Sequence, residues 1–182
     1  MERRVLPNSL SALSICSRQT SAPHRPSRRS QSYRPPGHVE PHVEWAPPER
    51  WRDSPEYLFG CDLYNHGYWW ESHEAWEGLW RVTLNGGEQK RFLQGLIQIA
   101  AIHLQLFQGH ADGVARLRTT SREHLTSAAR LSGRNGATDV PFMGVCIFEF
   151  MDRVEAYCVA VLDVESSPPW HDPRRFPYII PS

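Results

Sequence analysis

The run EQKRFLQGLIQIAAIHLQLFQ, residues 88–108, decides the fold. Leu93, Leu96, Ile97, Ala100, Leu104 and Phe107 recur at spacings of three and four, which places them on one stripe of an α-helix. Gly109 follows at once, and a glycine there predicts that the helix runs from Glu88 to Gln108. The most apolar part, Gln94 to Phe107, is interrupted by Gln98, His103 and Gln105. It falls short of the roughly 18 apolar residues of a membrane span.

Working outward, each flanking segment reads as another helix. Asp53-Ser54-Pro55-Glu56 combines a capping residue, an early proline and a following acid, so a first helix is expected from Pro55 to His66. It would carry Leu58, Cys61 and Asn65 on one face and stop at Gly67. A second helix, Trp69 to Val82, ends before Asn85-Gly86-Gly87. A fourth runs from Ala111 to Leu131 and ends near Gly133, followed by a loop to Pro141. A fifth is expected over Phe142 to Val164, with Ile147, Phe150, Met151, Val154, Cys158 and Val161 on its stripe. No segment shows a clear period-2 pattern. The expectation is an all-α, antiparallel bundle of about five helices, a helical domain over 55–165. Gly60, Gly67, Trp69, Ser72, Trp76 and Leu79 fall at the spacing of a tetratricopeptide hairpin. Small residues at Gly60 and Ser72 would let two helices approach while Trp69 and Trp76 fill the space beside them.

The ends of the chain differ in composition. Residues 1–37 hold seven Arg, eight Ser, five Pro and a single acid, Glu2, and read as disordered, with a targeting segment or a misplaced start as alternatives. Residues 38–54 read as an extended Pro-rich arm that pins Trp45 and Trp51 on the surface, and 166–182 as an extended Pro-rich tail. Past residue 37 there are thirteen basic and nineteen acidic residues, a net charge near −6. That balance argues against a nucleic-acid-binding face. The four cysteines, Cys16, Cys61, Cys146 and Cys158, form no Cys-x-x-Cys pair, so a cytoplasmic protein without a disulfide framework is expected. No membrane association is expected, and a protein partner or a homo-oligomer is left open.

The chemistry is concentrated in YNHGYWWESHEAWEGLWR, residues 64–81, where four of the seven tryptophans lie between Trp69 and Trp80. His73, Glu77 and Trp80 stand at i, i+4 and i+7, on one helical face. Gln94 and Gln98 repeat the i, i+4 spacing in the third helix. Three readings are open. His73 and Glu77, with Glu74 beside them, are candidate ligands of a divalent metal ion. His-Glu-x-x-Glu lacks the second His of zinc peptidases, however, and two donors do not make a tight site, so further ligands would have to come from His103, Gln94, Gln98, His38 or His42. Second, His73, Glu77, Gln94 and Gln98 line a polar pocket for a small ligand, with Trp80 and Asn65 at its border. Third, the same residues form a buried hydrogen-bond network that sets helix register in a structural or protein-interaction module. No nucleophile motif or phosphate loop is present, and the residues assign no reaction.

These two blocks resemble domain-of-unknown-function family 309, small helical prokaryotic proteins. The family's hallmark is His-x-x-x-Glu-x-x-Trp after an Asn-x-Gly-x-Tyr/Phe-type turn, then a Phe-Leu-Gln-Gly-Leu-Ile-Gln block. His73, Glu77 and Trp80 match the first, Asn65, Gly67 and Trp69 the turn, and Phe92 to Gln98 the second. The resemblance extends over roughly Pro55 to Leu131. It implies an all-helical fold and brings a suggested metal role for the motif, without an established activity.

Overall fold

The computed structural model describes residues 43–134, 140–163 and 176–181. The expectations for 1–37 and for most of the Pro-rich tail lie outside these residues. Five α-helices form the domain: α1 Pro55–Asn65, α2 Trp69–Val82, α3 Glu88–Gln108, α4 Ala111–Leu131 and α5 Ile147–Leu162. They make an all-α bundle, with no β-strand among the described residues. Helix α3 is central. It packs against α2 on one side and α4 on the other, α1 lies on α2, and α5 touches α3 and α4.

Local signals set most helix limits. Gly67 and Gly109 adopt φ of 81° and 76°, a left-handed backbone that side chains disfavour. There the amides of Tyr68 and His110 reach back to the carbonyls of Leu63 and Gln105, at 2.9 Å each, which satisfies the open helix end. Close packing follows from small residues. A Cβ on Gly60 would lie 2.3 Å from the Trp76 ring, so glycine is what lets α1 and α2 approach as the hairpin spacing predicts. Gly95 does the same between α3 and α4, where Leu125 fills the space a Cβ would need.

Four expectations need correction. Residues 38–54 are not an extended arm where they are described: Pro48–Asp53 is a 3-10 helix, and Trp51 is buried edge-on against Tyr57. Apolar area as large as an indole is worth more in the core than on the surface. The expected capping box is not made, because Asp53 pairs with Arg50 at 2.8 Å and Ser54 begins α1 without a side-chain cap. Helix α5 begins at Ile147 rather than at Phe142. Phe142 and Val145 exchange both backbone hydrogen bonds at 2.9 Å, and Met143 and Gly144 take positive φ, which no helix accommodates. This turn places Phe142 against Phe92 and lets the Met143 carbonyl accept from the Tyr57 hydroxyl at 2.8 Å. Finally, the buried arc of α3 is wider than the single stripe. It takes in Phe92, Ile99, Ile102, His103 and Leu106, while Phe107 at the last turn is exposed. A helix packed on two sides must bury two faces.

Candidate functional site

Helix α2 turns Ser72, Trp76 and Leu79 into the core. One position on, His73 is half-buried, its ring parallel to that of Trp70 with centroids 5.6 Å apart. Its Nδ1 is shut off from solvent and has no hydrogen-bond partner. Burial lowers the pKa of His73, against the opposing pull of the Glu77 and Glu74 carboxylates, so the imidazole is held toward its neutral form.

Glu77 stands one helical turn beyond His73, close enough for its charge to act on the imidazole. Its carboxylate pairs with Arg81 one turn on, at 3.0 Å, near the surface. Trp80 helps to hold the C-terminal end of α2. The Lys90 ammonium lies 4.0 Å from the centroid of its ring and donates to the Trp80 carbonyl and, at 3.2 Å, to the Thr83 carbonyl. A cation at the C-terminal end of α2 complements the helix dipole and satisfies its last carbonyls. The indole Nε1 of Trp80 is buried without a partner.

On α3, Gln98 is half-buried and its Oε1 is likewise shielded and unpaired, while Gln94 is half-buried one turn before it. Asn65 does not join them. Its amide donates to the Ile179 carbonyl at 2.6 Å and accepts from the Ile179 amide at 2.8 Å, so it fastens the C-terminal tail. The network expected through Asn65 is therefore not formed, and Glu77 is committed to Arg81.

The metal set does not assemble either. Among the described residues no three of His, Cys, Asp or Glu come together in a way that would hold an ion. His103 is fully buried on α3, with its Nε2 2.8 Å from the Tyr64 hydroxyl and its ring stacked on Trp69 at 5.0 Å. His38 and His42 lie outside the described residues. Cys61 and Cys158 are free thiols; burial pushes Cys61 up to about 12 and Cys158 up to about 11, which leaves both protonated and unreactive.

Sequence reasoning missed the aromatic surroundings of His103. Tyr64, Trp69, Tyr157 and Phe176 all lie with ring centroids 5.0–5.3 Å from its ring. Desolvation holds the pKa of His103 at about 3, and Tyr157 is raised to about 12. The usable signal was there: a histidine inside the most apolar run, in phase with Leu96 and Ile99, is a core position.

Residues 57–117, about a third of the chain, match a family model described as domain of unknown function (DUF309). No curated protein and no solved structure matches the chain. The matched segment begins in α1, contains the whole of α2 and α3, and stops in the first part of α4. It is narrower than the Pro55–Leu131 resemblance and still includes Asn65, His73, Glu77, Trp80, Gln94 and Gln98. Over that segment the chain is similar to the family described as domain of unknown function (DUF309).

Proposed function

We propose that this is a binding protein that takes a small polar molecule at the α2–α3 seam. His73 and Gln98 are its principal hydrogen-bonding contacts, with Glu77, Gln94 and Trp80 around them. The observation that carries this reading is the pair of unpaired, solvent-shielded atoms His73 Nδ1 and Gln98 Oε1 on two helices packed together. Each unpaired buried polar group costs about 1–3 kcal/mol. A fold that keeps two such atoms unpaired gives up stability that a ligand's donor and acceptor would restore. A neutral imidazole and a side-chain amide suit an uncharged group with both a donor and an acceptor, such as a carboxamide. A divalent ion fits less well, since Glu77 is engaged and no third donor stands near. The alternative, a structural module built on a hydrogen-bond network, loses support because Asn65 and Glu77 bond elsewhere.

The test is an NMR titration of the full chain with acetamide. Saturable shifts confined to residues 69–80 and 94–98, absent in the His73→Leu/Gln98→Leu double variant, support the reading. Shifts that do not saturate, or that persist unchanged in the double variant, overturn it. So does stoichiometric metal in protein purified without chelator that is lost in His73→Ala.

A further inference from the structure

A second group of unpaired polar atoms, none of them on His73 or Gln98, lies around His103. Four rings define it. Trp69 stacks on His103, with centroids 5.0 Å apart and planes 21° from parallel, and Tyr64 and Tyr157 close two further sides at 5.3 and 5.2 Å. Tyr64, His103 and Tyr157 are all at most 2% exposed. Three polar atoms on these rings have no partner: Trp69 Nε1, His103 Nδ1 and the Tyr157 hydroxyl. The one bond made inside the cluster, Tyr64 hydroxyl to His103 Nε2 at 2.8 Å, uses only one edge of the imidazole.

The chain itself supplies what sits against these rings. Phe176, from the C-terminal tail, lies 5.3 Å from Tyr64, 5.1 Å from His103, 5.7 Å from Tyr157 and 6.4 Å from Trp69, centroid to centroid. A phenyl ring has no polar edge, so it serves the stacking and none of the three unpaired atoms. The tail is held beyond it by the two Asn65–Ile179 bonds, by Arg153 donating to the Tyr178 carbonyl at 2.7 Å, and by the burial of Ile179. The cluster is thus chemically richer than the ring that fills it.

We infer that Tyr64, Trp69, His103 and Tyr157 form a site for a planar, uncharged amino-heterocycle of nucleobase type, and that Phe176 holds the place such a ring takes. The chemistry selects the class. The indole N–H only donates, so the ligand edge must accept. The phenol both donates and accepts, and the imidazole edge does one or the other, so a ring nitrogen beside an exocyclic amine matches them. No charged side chain is among the four rings, which disfavours an ionic ligand. Entry of the ligand ring displaces Phe176 and loosens the tail as far as Ile179. This site shares no hydrogen-bonding atom with the His73–Gln98 pair, and either reading stands if the other fails.

Adenine is the probe and toluene the apolar control, measured by NMR titration on the full chain. Phe176→Ala should bind adenine at least tenfold more tightly than the wild type does. Adding Trp69→Phe and Tyr157→Phe to that variant should weaken adenine at least fivefold and leave toluene unchanged. Toluene binding to Phe176→Ala as tightly as adenine would show an ordinary apolar cavity and overturn the proposal, as would a folded Phe176→Ala with no saturable adenine binding. Should that variant fail to fold, the wild type gives the answer: saturating adenine must speed hydrogen exchange of the Ile179 amide at least threefold, and unchanged exchange overturns the proposal.

Discussion

Helix α3 has two packed faces of opposite character. Toward α4 the centre of the contact is hydrocarbon, with polar pairs such as Arg91–His124 at its edge: Leu125 sits on Gly95, and Val114, Ala128 and Ala129 are buried beside it. The buried polar residue of α4, Ser121, satisfies itself on the Arg118 carbonyl at 3.2 Å. Toward α2 the seam carries Trp69, Ser72, His73 and Trp80, and α3 answers with His103, each with a shielded atom left unpaired. Small-to-large complementarity and full hydrogen bonding are what stability alone selects. The centre of the α3–α4 face, around Gly95, Leu125 and Ser121, meets both conditions, whereas the α2–α3 face meets only the first. Departures from local consistency of this kind gather where a protein binds something.

The largest effect expected on this contrast comes from acid. Burial depresses the pKa of His103 to about 3 against a usual value of 6.5, so the unfolded chain takes up the proton first. Its contribution to stability is intact above about pH 6.5 and is lost as pH falls toward 3, a change of roughly 5 kcal/mol by linkage. His73 and His124 are shifted in the same direction, each chiefly by burial, and add to the same window. Urea unfolding from pH 7 to 4 should show this slope, and His103→Gln should flatten it. An equally steep slope in the variant would remove His103 from the account.

Next in size is the dry face. Leu125→Ala opens a cavity at a fully buried position and should cost about 2–5 kcal/mol in urea unfolding at neutral pH. Gly95→Ala, at the same contact, should cost about 1–3 kcal/mol, since its Cβ would fall 2.6 Å from Leu125.

The seam should respond in the opposite sense. His73→Leu and Gln98→Leu each replace an unpaired buried polar group with hydrocarbon, and the double variant should be as stable as the wild type or up to about 2 kcal/mol more so. A loss above about 1 kcal/mol would mean that these groups already have structural partners, and the two faces would no longer differ in kind. Smallest is the rim: Glu77→Ala removes a partly exposed ion pair to Arg81 and should change stability by less than about 0.5 kcal/mol.

Much of the helical frame was legible from the chain alone. Helices α2, α3 and α4 have the limits that periodicity and glycine stops predict, because helical hydrogen bonds join residues four apart and every determinant lies within a turn or two. The i, i+4 spacings of His73–Glu77 and Gln94–Gln98 were legible for the same reason, since such spacing is local geometry. Which polar atoms would be paired was not legible, since the partners are distant in sequence. Asn65 finds Ile179, 114 residues on, and Tyr64 finds His103, 39 residues on. Trp51 looked like a surface ring until α1 and the Phe142–Val145 turn closed around it. Phe176 reads only as an aromatic in a proline-rich tail, and its place against His103 depends on Asn65 holding the segment that follows. Helix formation is decided within a few residues, whereas the pairing of side chains is decided by how helices dock and where the ends of the chain return, and only the tertiary structure contains that.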